Sequence, residues 1–172
     1  EKKKSKYLYD IEVANHPTAT LGGKLLSPGS INIVPGLSGF SIDRRLIVEE
    51  NTSEVINELK QVIRKASSTA GAEVELEIVE KMEPAITDPD SEIIKALEEA
   101  VKKNIGKEPR KTICVGGLDL RYYTNKGIQA ASYGPGEPNM AHKTDEYIPI
   151  ESLHKAIDIY VDVIDLLARR SR

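Results

Sequence analysis

The sequence predicts two consecutive units of different class: an α+β unit over residues 1–83 and an α/β unit over residues 84–172. Three observations predict this. Residues 18–79 read as strand, strand, helix, strand, which is most of a ferredoxin-like sandwich without its opening strand and helix. Residues 90–167 read as helix, strand, helix, strand, helix, the grammar of a parallel sheet covered by helices. Between them lies Pro84-Ala85-Ile86-Thr87-Asp88-Pro89, the best boundary in the chain. A parallel sheet of two strands is not a domain, so the second unit is expected to draw its remaining strands from another segment.

In the first unit, residues 18–26 are apolar around a Gly22-Gly23 interruption, and Ser27-Pro28-Gly29 marks a turn. Ile31 to Val34 is a second short run, stopped by Pro35-Gly36. Residues 38–47 alternate, with Phe40, Ile42 and Arg44 on one face and Ser41, Asp43 and Arg45 on the other. Asn51-Thr52-Ser53-Glu54 offers a helix cap, after which Val55, Ile56, Leu59, Val62, Ile63 and Ala66 follow helical spacing. Residues 72–79 alternate strictly, Val74, Leu76 and Ile78 against Glu73, Glu75 and Glu77, and predict a strand with one polar face.

In the second unit, Asp90-Ser91-Glu92 caps a helix to about Asn104, with Ile93, Ile94, Leu97, Ala100 and Val101 inward. Residues 111–115 predict a short buried strand ended by Gly116-Gly117, and residues 119–126 a short helix closed by Gly127. Residues 128–133 predict a further strand. Pro149-Ile150-Glu151-Ser152 opens the last helix, with Leu153, Ala156, Ile157, Tyr160, Val161, Ile164 and Leu167 on its inward face.

With 40% hydrophobic and 30% charged residues and a net charge of −3, the chain has material for a core and no nucleic-acid footprint. No segment approaches the roughly 18 apolar residues needed to span a bilayer. Lys2-Lys3-Lys4 reads as the solvated end of a helix, and Glu1-Lys2-Lys3-Lys4 as a cut end rather than a signal peptide. Cys114 is the single cysteine, which excludes an internal disulfide and fits a reducing cytoplasm. Its setting, Thr112-Ile113-Cys114-Val115, predicts a buried, inert thiol.

Three histidines compete for a functional role. His16 precedes Pro17 in a connection and His154 opens the last helix, whereas His142 ends a Gly-Pro loop, Tyr133-Gly134-Pro135-Gly136, and is followed by Asp145 and Glu146. Such a loop can present an imidazole to a metal or a proton, or hold it by backbone hydrogen bonds alone. Alternation leaves the guanidinium of Arg45 opposite Phe40 and Ile42, free for a carboxylate or for a surface ion-pair ladder with Asp43. Gly116-Gly117 lies between an apolar run and a short helix, where backbone N–H groups can receive an anion, and Asp119 is either a cap or a catalytic group.

Asn32-Ile33-Val34-Pro35, Ile42-Asp43-Arg44-Arg45, Gly116-Gly117-Leu118-Asp119-Leu120-Arg121-Tyr122, Gly127-Ile128, Tyr133-Gly134-Pro135-Gly136 and Ala141-His142-Lys143-Thr144-Asp145-Glu146-Tyr147 follow one another in that order. From about Thr18 to Leu167 this series resembles the zinc-dependent amidohydrolase and exopeptidase family of acetylornithine deacetylase, succinyl-diaminopimelate desuccinylase, aminoacylase-1 and carboxypeptidase G. The resemblance implies a partial ferredoxin-like lid, which is also the dimerisation domain, followed by the C-terminal half of an α/β zinc-exopeptidase catalytic domain. Residues 1–6 would be the tail of the lid's first helix. The implied cofactor is a pair of divalent metal ions, zinc or cobalt. His142 would be the last ligand, and the other ligands would belong to a missing N-terminal half of the same protein.

The same resemblance implies that Asn32, Arg45, Gly117 and Leu118 bind the substrate. Leu118 departs from the family's Thr or Ser and so loses a hydroxyl contact. Asp119, Arg121 and Glu146 would support the site rather than react. The implied activity is metal-dependent hydrolysis of an amide in an N-acyl amino acid by a homodimer, with no catalytic residue in this segment and no turnover by the segment alone. A dipeptidase or carboxypeptidase of the same family is the nearest alternative, and a non-catalytic dimerisation or binding module is the alternative of another class.

Overall fold

The computed structural model describes residues 3–7, 11–114, 116–137, 140–141 and 143–170. The chain packs as two units, Glu1–Pro84 with Thr112–Gly117, and Ala85–Lys111 with Leu118–Arg172.

In the first unit, β1 (Thr18–Leu26) pairs antiparallel with β2 (Gly39–Arg45), with Thr18 opposite Arg45, Thr20 opposite Asp43, Leu21 opposite Ile42 and Leu25 opposite Phe40. Between the last two pairs, residues 22–24 of β1 face Ser41 alone. The Gly22-Gly23 interruption is thus a bulge, and the φ angles of 133° and 80° at these positions explain why both are glycine. Ser41 staples it: its hydroxyl donates to the Gly22 carbonyl and accepts the Lys24 N–H at 3.0 Å. Residues 31–34 are not a strand. The Ile33 N–H donates to the Ser30 carbonyl at 3.1 Å and closes a turn that leaves Ile31, Ile33 and Val34 exposed.

Helix α1 (Thr52–Ala70) begins where expected. The Asn51 side chain accepts the N–H groups of Ser53 and Glu54, and Gly71, at φ 63°, closes the other end. Glu83 returns to this N-terminus, accepting from the Thr52 N–H at 3.2 Å and from the Thr52 hydroxyl, so a carboxylate sits at the positive end of the helix dipole. Residues 72–79, expected as a strand, have no ladder partner among the described residues, and Val74, Ile78 and Val79 are exposed. Alternation marks a face; a strand also needs a neighbouring edge to take its backbone groups.

Lys3 and Lys4 of the opening basic run do not end a helix; Lys2 lies outside the described residues. Residues 3–7 are irregular: the Tyr7 N–H donates to the Ser5 hydroxyl at 3.2 Å, and other polar groups bond to distant residues, Ser5 N–H to the Asn15 carbonyl at 2.8 Å, Lys6 N–H to Glu49 at 2.9 Å, and Lys3 to Glu50 and Glu58 at 3.4 and 2.8 Å. His16 contributes a contact of Nδ1 with the Lys3 carbonyl.

The second unit is built on α2 (Glu92–Ile105) and α4 (Ile150–Arg170), with the short α3 (Leu120–Thr124) between them. Ala96 and Ala100, one turn apart, let α4 approach closely, and Ile159 and Val163 fill the space with Val101. Lys103 and Asn104 hold Asp162 at 2.6 Å each, and Arg170 reaches Glu92 and Glu99. Ser91 occupies the N-cap of α2, but its buried hydroxyl makes no cap hydrogen bond.

Helix α4 is apolar on two sides. Ala156, Ile159 and Val163 are buried, while Leu153, Ile157, Tyr160, Val161 and Ile164 of the expected inward face are exposed. The alanines of α2 accept Ile159 and Val163, which the spacing argument did not name, while Ala156 and Leu167 of the expected face turn inward as expected. Residues 111–115 and 128–133, expected as strands, carry no ladder among the described residues, and Cys114 is exposed rather than buried. A parallel strand is buried only between two neighbours, and the paired sheet among the described residues is the β1–β2 hairpin alone.

Candidate functional site

Two adjacent arginines end β2, and alternation sends them to opposite faces. Arg44 is consumed by the fold. Its Nη2 lies 2.6 Å from Oε1 of Glu50, whose side chain is only 3% exposed, and its Nη1 donates to the Arg45 carbonyl. Glu50 also accepts the Ile47 N–H at 3.3 Å and meets Lys3, so this carboxylate is satisfied by backbone, guanidinium and ammonium together.

Arg45 is 56% exposed and shares its face with Asp43, which is 57% exposed. One oxygen of Asp43, Oδ2, accepts a hydrogen bond from Nε at 3.0 Å and lies 2.8 Å from Nη2 in an ion pair. The ladder alternative for these two residues is therefore realised, yet it uses only one edge of the guanidinium. The Nη1 donors and the outer Nη2 donor have no partner among the described residues. Thr18 and Thr20 stand directly across the ladder from Arg45 and Asp43. This face of the hairpin therefore carries hydroxyls, a carboxylate and a partly free guanidinium.

The other site residues are spread over both units. Asn32 is exposed in the turn closed by Ser30 and Ile33, and Gly117 is exposed after Gly116. Among the described residues no hydrogen bond joins Asn32, Arg45 and Gly117 to one another. Leu118 and Asp119 belong to the second unit, where they line an open cavity of about 360 Å³ with Ile93, Leu97, Tyr133 and Tyr160. Among the described residues no cationic side chain lines it, and the Tyr160 hydroxyl is taken by the Tyr133 carbonyl at 2.7 Å. Burial, and then the neighbouring Tyr160, push the Tyr133 hydroxyl above its ordinary pKa.

Asp119 stands at the N-cap of α3 without a capping hydrogen bond. Arg121 is turned back on its own helix, donating to the Leu118 carbonyl at 2.6 Å and to the Tyr122 hydroxyl at 3.2 Å, with its guanidinium 4.5 Å from the Tyr122 ring centre. Glu146 is exposed just after Asp145, a non-glycine residue at φ 56°. His142, expected as a metal ligand, lies outside the described residues. Among the described residues no group of three or more His, Cys, Asp or Glu side chains is placed to hold a metal ion. No helix is long and apolar enough to cross a membrane.

The residues that sequence reasoning missed are Glu50, which commits Arg44 to the fold, and Ser41, which sets the register leading to Arg45. The signal for Glu50 was weak, because a carboxylate six residues beyond Arg44 has no fixed geometric relation to a strand. Ser41 was legible in part, as the residue opposite a glycine pair.

The family model described as Peptidase family M20/M25/M40 matches residues 5–166, and the chain belongs to this family. Among curated relatives, the [LysW]-lysine/[LysW]-ornithine hydrolase of Sulfurisphaera tokodaii is 25% identical over 162 residues, covering 94% of this chain and 44% of the relative. The succinyl-diaminopimelate desuccinylase of Nautilia profundicola is 25% identical over 134 residues, covering 78% and 35%. Among solved structures, the M20 family metallo-carboxypeptidase of Sulfolobus solfataricus superposes with a TM-score of 0.73 at 25% identity, over 95% of this chain and 39% of that one. The fold is thus that of the M20 peptidases. The chain spans about a third to under half of the length of the curated relatives it matches.

Proposed function

We propose that this chain is the substrate-carboxylate-binding portion of an M20 metallohydrolase that cleaves the amide bond of an N-acyl amino acid. The exposed, partly free guanidinium of Arg45 carries this reading: a planar fork with donors to spare suits a carboxylate, and among the described residues no cationic side chain lines the cavity of the second unit. In the reading, Asn32, Gly117 and Leu118 complete the pocket around the carboxylate or acyl group. Residues 1–83 form part of a ferredoxin-like lid through which the protein dimerises, and residues 84–172 form the C-terminal half of the catalytic domain. The described residues do not by themselves make the metal site that the family implies. His142 would add one imidazole to a site of two divalent ions, zinc or cobalt, whose other ligands lie in the rest of the protein. The single, exposed thiol of Cys114 suits a reducing compartment such as the cytoplasm.

The test is a substrate panel on the intact protein: N-acetylornithine, N-succinyl-diaminopimelate and simple dipeptides, with His142→Ala assayed in parallel for bound metal. The reading expects an N-acyl substrate to be preferred and His142→Ala to lose metal as well as activity. Undiminished metal content in that variant would remove His142 from the site. A second reading, carboxypeptidase or dipeptidase, is favoured by the likeness to the Sulfolobus metallo-carboxypeptidase. A preference for dipeptides above about tenfold in kcat/KM, some 1.4 kcal/mol of transition-state binding, would replace the first reading with the second.

A further inference from the structure

We propose that Asp43 is a positioning residue for Arg45, holding the guanidinium by one edge so that a ligand carboxylate can engage only its end. The proposal rests on the carboxylate-binding reading of Arg45. A guanidinium has two ways to pair with a carboxylate through parallel N–H groups, side-on through Nε and Nη2 or end-on through Nη1 and Nη2. Asp43 Oδ2 sits on the side-on edge, accepting a hydrogen bond from Nε at 3.0 Å and lying 2.8 Å from Nη2 in an ion pair. The end-on pair remains, with one N–H each on Nη1 and Nη2.

The rest of the neighbourhood makes this arrangement specific to Arg45. Asp43 and Arg45 are two residues apart on one strand, so the pleat brings them to the same face without a turn or a loop to adjust. Arg44 cannot substitute, because Glu50 holds it on the opposite face. The Ser41 staple fixes the bulge next to the Leu21–Ile42 pair, from which the regular ladder runs on to Asp43 and Arg45. Asp43 acts on a ligand in two opposing ways. Its charge repels an incoming carboxylate, and its contact removes rotamers from a long, half-exposed side chain that would otherwise have to be ordered on binding. Immobilising one such side chain amounts to roughly a 2- to 12-fold effect on affinity. The repulsion acts between exposed groups and is screened by water and salt. The Asp43–Arg45 contact is exposed and screened too, so which effect dominates is what the Asp43 variants measure, and the proposal is that positioning does.

The experiment uses the intact protein and its preferred substrate, with kcat and KM measured for Arg45→Ala, Asp43→Ala, Asp43→Asn and the double variant Asp43→Ala/Arg45→Ala. Positioning predicts that Asp43→Ala raises KM about fivefold with a smaller change in kcat. Asp43→Asn, which keeps a side-chain oxygen for Nε–H, should stay within about twofold of the parent, and Asp43→Ala should add nothing once Arg45 is gone. An unchanged or lowered KM for Asp43→Ala, or a KM for Asp43→Asn clearly below the parent's, would show that Asp43 competes with the ligand and overturn the proposal. Arg45→Ala separates the two readings: if it leaves KM unaltered, the carboxylate-binding reading itself falls and this proposal falls with it. If Arg45→Ala is impaired and Asp43→Ala is not, only the positioning role is lost.

Discussion

The two units are held together by different physics. In the second, two helices close on a dry apolar seam, with Ile159 fully buried against Ala96 and Ala100, and ion pairs decorate its rim. In the first, Ile47 and Val55 are buried, but many of the contacts that join distant parts of the chain are polar: Lys3 to Glu58, Ser5 to Glu49, Thr52 to Glu83, with Arg44 to Glu50 nearer in sequence. Its large apolar side chains on the hairpin, Leu21, Leu25, Phe40 and Ile42, are exposed instead. The difference teaches where each unit's order comes from. Apolar burial is non-directional and tolerates small adjustments, whereas the polar contacts depend on geometry and on the charge state of particular carboxylates. The unit that carries Arg45 is the second kind, which suits a surface meant to hold a donor fork in one orientation.

The sharpest way to break this contrast is to empty the seam. Ile159→Ala removes the one large side chain that is fully buried and should cost about 3 kcal/mol, since the alanines facing it cannot expand to fill the cavity. Denaturant unfolding of the protein measures this, and a cost under about 1 kcal/mol would mean that the α2–α4 seam is not what holds the second unit. The corresponding change in the first unit is Glu50→Ala. Arg44 would lose its partner at a site where its side chain is 17% exposed, so the cost should be near 2 kcal/mol, below the 3–5 kcal/mol of a fully buried pair. Equal costs for the two variants would erase the distinction; a Glu50→Ala effect close to zero would move the first unit's stability away from its charges.

Much of this contrast was legible in the sequence, and what was missed has a common cause. The Asn51 cap, the bounds of α2 and the start of α4 all follow from chemistry local to a few residues. The strands expected at 72–79, 111–115 and 128–133 do not, because a period of two reports a face and says nothing of the neighbour that must accept the backbone groups. Cys114 was expected buried for the same reason. Helix α4 shows a related ambiguity: its spacing contains two apolar stripes, and only the alanines of α2 decide which is covered. At the candidate site, the sequence separated Arg45 from Arg44 by face, but only the fold shows that Glu50 consumes one and Asp43 holds the other by an edge.

The smallest effect concerns pH and tests whether the first unit's polar contacts open separately. Partial burial pushes the Glu49 carboxyl up, but hydrogen bonds from the Lys6 N–H and the Ser5 hydroxyl outweigh it and hold the group below its ordinary 4.5; hydrogen bonding and charge from Lys3 lower Glu58 in the same direction. A carboxyl with a lowered folded pKa contributes stability that is present above 4.5 and lost as pH falls through the folded value. Acidification from above 4.5 through the lowered pKa of Glu49 should therefore release residues 3–7 first, seen as lost hydrogen-exchange protection at the Lys6 amide, which donates to Glu49. Amides of α2 and α4 around Ile159 should stay protected over the same range, even though Glu92 and Asp162 on their rim are also held low by Arg170 and Lys103, because the buried residues of the seam beneath them, Ala96, Ala100, Val101, Ile159 and Val163, carry no acidic group. Simultaneous loss in both places would mean that the chain opens as one cooperative body; loss at Ile159 before Lys6 would reverse the assignment of charge to one unit and burial to the other.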